Sequence, residues 1–398
     1  MNLTIKKYIY LTPMTYFLAF FLYQVVLIPA LSWNVLSQLS LNHALMAGGL
    51  SFIFLMCVFL GWLLSKKMLQ DAFNGVMSFF SLRGTGKKIH QKYFGLLALV
   101  YFVLFIASFV LLAYLSGAGT LWITDSRTAY QLYRNGVGIF YATTVSLLTL
   151  SYTLAIYGWT TLDNFLVKAI PITLVFSSFA FFLGAKSLIV GLFIILLVFY
   201  SYHIKAFSMF QVAVLFMLSI LSVSLLQIVQ GTAETAKDTI LYADYFYTTT
   251  EFLRRFSVGD FDLQFGSVLI SNIWAYIPRI LYPDKPYEYG QLLINKVIFP
   301  GAAELGFSPG LLPWAAIYLD FGIFGVIFYG ILTGCLLGWT HRFYVDRNVG
   351  IVDFWILLKL GGFPAFFAFF PMPVFIAIIL PCLSLSVFAS RKSFYRMT

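Results

Sequence analysis

The sequence predicts an all-α integral membrane protein, and three observations support that prediction. Of its 398 residues, 61% are hydrophobic and only 10% are charged, and the mean hydropathy is +0.90. A soluble chain carries about 25% charged residues. Apolar runs of the length needed to cross a bilayer, about 17–25 residues, recur along the chain. Lys and Arg gather at the ends of these runs, as the positive-inside rule requires.

About ten apolar runs are predicted to span the membrane, or eleven if the segment 263–280 also crosses it. They lie near 10–31, 44–65, 93–116, 136–159, 169–184, 187–203, 207–229, 313–338, 351–370 and 373–389. With both termini placed in the cytoplasm, the inside segments hold 15 of the 25 Lys and Arg residues. We therefore expect a seven-helix membrane region at 1–229, a large periplasmic loop at 230–312 and a three-helix C-terminal membrane region at 313–398.

An amphipathic helix on the membrane surface is predicted at the start of the large loop. Its residues at helical spacing are Ile240, Ala243, Tyr247, Thr250 and Leu253. The segment that follows, 265–280, is apolar, but Ser271, Asn272 and Pro278 interrupt it. We expect it to be interfacial or re-entrant, so that its non-helical backbone must be covered by protein or line a cavity.

The segment 271–312 is the densest polar and aromatic stretch of the chain. It contains prolines at 278, 283, 286, 300 and 309, so no continuous helix can run through it. Its tyrosines Tyr276, Tyr282 and Tyr287 offer flat faces for sugar rings and hydroxyls for sugar oxygens. The alternative is an aromatic belt at the membrane interface.

Basic residues on the predicted periplasmic side are candidates for binding a lipid-linked diphosphate. They are Arg127, Arg134, Lys186, Arg254, Arg255, Arg279 and Lys285. Arginine binds phosphate through paired hydrogen bonds, and lysine acts as a point charge. Together they would stabilise a departing diphosphate, with Arg279 in a catalytic role. Contact with lipid headgroups or pairing with Asp and Glu is the alternative.

The candidates for a catalytic carboxylate are Glu304, Glu288 and Asp320. Partial desolvation next to a span would raise the pKa of Glu304 and suit it to accept a hydroxyl proton. Asp320 lies about two turns into a predicted span, where ionisable side chains usually face a polar interior. Ion pairing with Arg279 or Lys285 is the alternative for Glu304, and His43 is a weaker alternative base.

No cofactor, metal or nucleic acid is expected. The sequence has no metal-ligand spacing, phosphate-binding glycine loop or nucleophile elbow. The three cysteines, Cys57, Cys335 and Cys382, lie in apolar runs and imply no disulfide framework. The net charge of +10 does not indicate nucleic-acid binding, because the basic residues sit at the ends of apolar runs.

Three motifs resemble the oligosaccharide repeat-unit polymerases, that is, the O-antigen polymerases (Wzy-type). They are IPRILYPDKP at 277–286, LGFSPG at 305–310 and YLDFGIFG at 318–325. The chain also has the Arg-x10-Gly spacing of that family, at Arg127 and Gly138, at Arg255 and Gly266, and at Arg279 and Gly290.

The resemblance implies a metal-independent membrane glycosyltransferase of the bacterial inner membrane. Its substrate would be an oligosaccharide carried on undecaprenyl diphosphate, and its partners would be membrane lipids and a chain-length regulator protein. Basic side chains can replace a metal because the diphosphate is already an activated leaving group. Two other functions stay open. One is an O-antigen ligase, and the other is a lipid-linked oligosaccharide flippase or secondary transporter, for which Asp320 and Lys359 within spans would be typical.

Overall fold

The computed structural model describes most of the membrane region and of the segment after residue 243. The residues described are 12–65, 91–133, 137–160, 164–184, 186–204, 207–208, 210–214, 217–218, 244–277, 279, 281–302, 304 and 310–346. Every regular element among them is helical, which confirms the predicted all-α class.

The helices are numbered here in chain order. They are α1 (Pro13–Leu22), α2 (Ile28–Leu31), α3 (Trp33–Leu64), α4 (Gln91–Leu115), α5 (Leu121–Thr124), α6 (Ser126–Leu132), α7 (Gly138–Trp159), α8 (Phe165–Phe182), α9 (Lys186–His203), α10 (Tyr245–Ser257), α11 (Ser267–Ser271), α12 (Leu292–Ile298) and α13 (Ala315–Asp346). A π-helical stretch, Tyr23–Leu27, joins α1 to α2, and a 3₁₀ helix, Asn272–Tyr276, continues α11.

Six helices in the described residues are long and apolar enough to cross a membrane. They are Pro13–Leu31, Leu39–Leu64, Phe94–Leu115, Gly138–Trp159, Phe165–Phe182 and Ala315–Trp339. Each coincides with a predicted span, and the predicted span 187–203 forms α9, whose apolar part, Leu188–Ser201, is shorter. Most of the predicted span 207–229, and all of 351–370 and 373–389, lie outside the described residues.

Some helix boundaries differ from the predicted ones. Helix α3 begins at Trp33 rather than near residue 44, and it bends at Ser40, which has extended backbone angles (φ −179°, ψ 110°). Helix α8 begins at Phe165 rather than near 169, so Lys168 lies inside it. The reason is that hydropathy locates the apolar run, whereas hydrogen bonding continues the helix into polar residues on either side.

The buried side chains form two hydrophobic cores. The first lies between α4, α7, α8 and α9 and includes the fully buried Phe105, Trp122 and Tyr152. The second lies between α1, α3, α10 and α13 and includes the fully buried Phe54 and Trp314. Helix α10 confirms the predicted helix at the end of the 240–253 pattern, and it packs on the second core through Phe252 and Leu253.

Helices α3 and α13 approach each other closely through glycines. A Cβ atom added at Gly334 would collide with the carbonyl oxygen of Val58, and one at Gly61 would collide with that of Ile331. Small residues four apart let membrane helices pack backbone to backbone. This packing fixes α13, and α13 in turn holds the segment that carries the candidate site.

The segment 265–280 does not form an additional spanning helix. It begins with Phe265 and Gly266, both at positive φ, and continues as the five-residue α11 and a five-residue 3₁₀ helix. Five α-helical residues rise about 7.5 Å and five 3₁₀ residues about 10 Å, together little more than half the thickness of the hydrocarbon core. The described part of the segment is therefore too short to span the membrane as a helix, and its interfacial or re-entrant position stays a prediction.

Candidate functional site

Two cations are held side by side in the turn that runs from Arg279 to Gly290, called the 279–290 turn below. The two amino groups of Arg279 donate to the carbonyl oxygens of Lys285 (2.5 Å) and Pro286 (3.1 Å). The Nζ atom of Lys285 donates to the carbonyl oxygen of Ile277 at 3.0 Å. Each cation thus hydrogen-bonds to backbone at or near the other cation's position in the chain. The prolines of this segment favour the backbone bends that bring these groups together.

Tyrosine rings lie against both cations. The guanidinium of Arg279 is 3.7 Å from the ring centre of Tyr287, and Nζ of Lys285 is 4.8 Å from that of Tyr289. Both distances are within the range of a cation–π contact. The ring of Tyr282 stacks on Trp274 at 5.4 Å, which ties the turn to the 3₁₀ helix. The predicted group of cations and tyrosines is thus brought together at Arg279, Tyr282, Lys285 and Tyr287.

Neither cation of this pair forms an ion pair in the described part of the chain. Among the described residues, the ion pairs join Arg254 and Arg255 to Glu251 and join Arg255 to Asp260, and none includes Arg279 or Lys285. Lys285 is only 9% exposed. Its burial, and then the nearby charge of Arg279, lower the pKa of its ammonium group. A buried ammonium beside a guanidinium is a site that an anion would stabilise.

The 279–290 turn is closed by Gly290 and fixed on α11 and the 3₁₀ helix. The backbone N–H of Gly290 donates to the hydroxyl of Ser271 at 2.8 Å. Gly290 has a positive φ of 58°, and a Cβ atom there would collide with the side-chain oxygen of Asn272. Only glycine fits this position without strain, which gives the spacing between Arg279 and Gly290 a structural reason.

The side chain of Asp320, a residue of α13, lies against the first turn of α11. Its carboxylate is fully buried, and it accepts hydrogen bonds from the backbone N–H groups of Val268 (3.0 Å) and Leu269 (2.8 Å). These N–H groups belong to the first turn of a helix, where no partner exists within the helix itself. The predicted catalytic Asp320 is therefore close to the site but is bonded to backbone.

Arg254 and Arg255 lie on α10 and are paired with carboxylates. Arg254 donates to both oxygens of Glu251 (2.6 and 2.7 Å), and Arg255 donates to Glu251 (2.9 Å) and Asp260 (3.1 Å). The hydrogen bonds from Arg254 hold the pKa of Glu251 below its usual value. The sequence left open whether these arginines bind a diphosphate or instead contact lipid headgroups or pair with Asp and Glu. In the structure they pair with nearby carboxylates.

The remaining predicted cations lie elsewhere or outside the described residues. Arg127 is on α6, which belongs to the first core, with its guanidinium 5.9 Å from the ring centre of Tyr130. The turn before Lys186 packs on α6, since a Cβ atom at Gly184 would collide with the carbonyl oxygen of Ser126. Arg134, and the side chains of Lys186 and Tyr276, are outside the described part of the chain.

The candidate carboxylates occupy different positions. Glu304 is exposed, and most of its neighbours in the sequence, 303 and 305–309, are outside the described residues. Glu288 lies within the 279–290 turn itself, between the two tyrosines that contact the cations. His43, at the bend of α3, is bonded to the hydroxyls of Ser40 (2.6 Å) and Ser257 (2.9 Å).

Sequence reasoning missed Asp244, the residue that caps α10. Its carboxylate accepts from the backbone N–H of Tyr247 at 2.7 Å, and burial raises its pKa. Asp244 lies inside the predicted pattern 240–253, which therefore did not show that α10 begins only at Tyr245; an aspartate at the position before a helix is a capping signal that could have been used. Among the described residues, no group of three His, Cys, Asp or Glu side chains is placed to hold a metal ion.

Comparison with known proteins finds two related proteins of one kind. The chain is 25% identical over 230 residues to the O-antigen polymerase of Salmonella typhimurium (strain LT2) and, to the same extent, to that of Salmonella typhi. The alignment covers 57% of this chain and 54% of each relative, so the chain spans about half the length of the curated relatives it matches. No protein-family model matches, and no solved structure matches significantly. The resemblance to O-antigen polymerases that the sequence predicts is thus confirmed, and it covers 57% of the chain.

Proposed function

We propose that the protein polymerises oligosaccharide repeat units linked to undecaprenyl diphosphate, such as those of O-antigen, at the periplasmic face of the inner membrane. The observation that carries the proposal is the pair of Arg279 and Lys285, held side by side with no carboxylate paired to either in the described residues. A diphosphate brings the negative charge that this pair lacks. The similarity to two O-antigen polymerases supports the same reaction.

In the proposed reaction, a hydroxyl at the non-reducing end of the incoming unit attacks the anomeric carbon of the growing chain. A new glycosidic C–O bond forms while the bond from that carbon to the diphosphate oxygen breaks. The diphosphate leaves with the electron pair, and Arg279 and Lys285 stabilise its charge. The hydroxyl proton passes to a carboxylate, for which Glu304 and Glu288 are the candidates.

The aromatic side chains of the turn would bind the glycan. Trp274 and Tyr282 are stacked, and Tyr282 is 45% exposed, so part of an aromatic surface is open beside the cations. Sugar rings stack on such faces, and the tyrosine hydroxyl supplies a hydrogen bond. Arg127, Arg134 and Lys186 would contribute further diphosphate contacts. The paired Arg254 and Arg255 would contribute only if a substrate displaced their carboxylates.

The lipopolysaccharide pattern of a deletion strain tests the proposal. A cell that lacks a polymerase still caps its lipid A–core with one repeat unit, so the expected gel shows a single short band above unmodified core. A ligase-null cell would show no capped lipid, and a flippase-null cell would keep its repeat units on the cytoplasmic side. Either of those two patterns would contradict the proposal.

A further inference from the structure

Helix α13 is broken at Gly322, and the segment 264–269 docks on the break. Gly322 has backbone angles (φ 58°, ψ −146°) that almost only glycine adopts. Just before it, the carbonyl oxygens of Leu319 and Asp320 accept hydrogen bonds from the N–H groups of Gln264 (2.9 Å) and Phe265 (3.0 Å). A continuous α-helix would use these carbonyls for its own hydrogen bonds.

The side chain of Asp320 completes the dock. Its two oxygens accept from Val268 and Leu269, so four hydrogen bonds join two residues of α13 to the segment 264–269. Phe265 has a positive φ of 48°, a strained value for a residue with a side chain. Such strain persists where the surroundings over-determine the conformation, and here the four hydrogen bonds do so.

A series of hydrogen bonds continues from Asp320 to Gly290, at the end of the turn that holds the cations. The carbonyl oxygen of Val268 accepts from the Ser271 hydroxyl (2.7 Å) and from the Asn272 side-chain amide (3.2 Å). The Ser271 hydroxyl oxygen accepts from the N–H of Gly290 (2.8 Å). Gly290 closes the turn in which Arg279 and Lys285 brace each other.

We propose that Asp320 is a positioning residue, which holds α11 on the broken helix and, through Ser271 and Gly290, sets the geometry of the Arg279–Lys285 pair. The proposal rests on the proposed function for what that pair binds. A fully buried carboxylate with both oxygens on backbone N–H groups is badly placed to take a proton from a substrate hydroxyl, because a base must come within hydrogen-bonding distance of it.

The first arm of the test measures the turn without any ligand. Hydrogen exchange of the peptide that contains Gly290 is compared in the purified full-length protein and its variants. We expect Asp320→Asn and Ser271→Ala to raise exchange in 279–290, by about fivefold for the single hydrogen bond lost in Ser271→Ala. Ser271→Thr keeps the hydroxyl and should restore protection. Ser178→Ala is the matched control, because that exposed hydroxyl bonds the carbonyl oxygen of Leu174 within α8 and is far along the chain from the dock and the turn.

The second arm measures the dissociation constant for undecaprenyl diphosphate. Asp320→Asn and Ser271→Ala should each weaken binding, and neither should weaken it further once Arg279→Ala and Lys285→Ala are both present, because both act through the Arg279–Lys285 pair. Combined with Arg127→Ala, on the other bundle, the effects should multiply. If Asp320→Asn and Ser271→Ala simply unfolded the protein, their effects on binding would be the same in the background that lacks the Arg279–Lys285 pair and in the Arg127→Ala background.

Two results would overturn the proposal. One is unchanged exchange in 279–290 in a folded Ser271→Ala or Asp320→Asn protein. The other is binding by Asp320→Asn as tight as wild type together with lost turnover, which would make Asp320 the base. If Asp320→Asn does not fold, the comparison of Ser271→Ala with Ser271→Thr tests the proposal by itself. A wild-type protein that fails to bind undecaprenyl diphosphate but shows the exchange effects would refute the proposed function and leave the positioning role supported.

Discussion

Arg279 and Lys285 have the same charge but are held by different means. Arg279 is half-buried and uses two amino groups on carbonyl oxygens, with a tyrosine ring against its face. Lys285 is buried, and its ammonium group has one backbone acceptor and one ring. The charge of the buried Lys285 ammonium therefore depends on pH and on what binds beside it.

Replacing Arg279 by alanine should slow polymerisation by about 10–150-fold. A hydrogen bond to a charged group contributes about 1.5–3 kcal/mol, and the departing diphosphate would lose at least one. The measurement is the initial rate of glycan lengthening with purified protein. Lys296→Ala is the matched control, since it removes an exposed cation on α12 and should keep the wild-type rate. A wild-type rate in Arg279→Ala would remove Arg279 from the site.

Binding of a diphosphate should weaken at alkaline pH earlier than an ordinary lysine would allow. Because the pKa of Lys285 is lowered by burial and by Arg279, its proton is lost as the pH rises through that lowered pKa, below 10.5. The affinity of undecaprenyl diphosphate, measured from pH 7 upwards, should fall in that window. In Lys285→Arg it should stay level, because arginine keeps its proton. Identical pH profiles for both proteins would contradict this role.

Individual site residues could be predicted where the signal is local. Arg279, Tyr282, Lys285 and Tyr287 lie within nine positions of one another among prolines, so any compact turn brings them together. The role of Asp320 could not be predicted, because its partners Val268 and Leu269 are more than 50 positions away and present only backbone N–H groups. Hydrogen bonds to backbone N–H groups leave no pattern of side chains in the sequence from which they could be predicted.

At the scale of elements, the glycines of α13 have two structural roles. They let α13 pack closely against α3, and they allow the break at which the segment 264–269 binds. The glycines at 330, 334 and 338 leave room for the backbone of α3, and Gly322 breaks the helix where the loop docks. The apolar runs predicted the helices, since burial of apolar residues against lipid or protein requires no long-range information. The break at Gly322 was not predicted, because a glycine in an apolar run gives no sign of its backbone angles.

Gly322→Ala should destabilise the protein and loosen the dock of segment 264–269. A side chain at these backbone angles costs about 1–3 kcal/mol. The free energy of unfolding in detergent should fall by that amount, and exchange in 264–271 should rise. Gly191→Ala is the control, because Gly191 lies in α9 with open space around it. Equal stability of the two variants would show that the break does not require glycine.

Gly334→Ala should also destabilise the protein, for a steric reason. The added methyl group would meet the backbone of α3 at Val58, and relieving such overpacking costs about 1–3 kcal/mol. Gly49→Ala on α3 meets no atom and should leave the midpoint of thermal unfolding unchanged or slightly raised, because alanine favours a helix. If Gly334→Ala and Gly49→Ala have the same midpoint of thermal unfolding, the close approach of α3 and α13 is not needed for stability.

At the scale of the whole molecule, the described helices form two bundles, and the proline-rich segment packs on the one made of α3, α10 and α13. Ile294 and Leu312 of the segment are buried in that core, the N–H of Leu312 donates to the Thr249 hydroxyl of α10, and Asp320 of α13 holds α11 just before the segment. We propose that the membrane helices act as a scaffold, that the 279–290 turn stabilises the charge of the departing diphosphate, and that this protein thereby lengthens a glycan on a polyprenyl carrier.

Reconstitution tests that claim most directly. The purified protein in liposomes receives a repeat unit linked to undecaprenyl diphosphate, and both the glycans and the released carrier are measured. We expect a ladder of glycans of two or more units, with one undecaprenyl diphosphate released for each new linkage. Movement of the lipid across the bilayer with no glycan longer than one unit would contradict it.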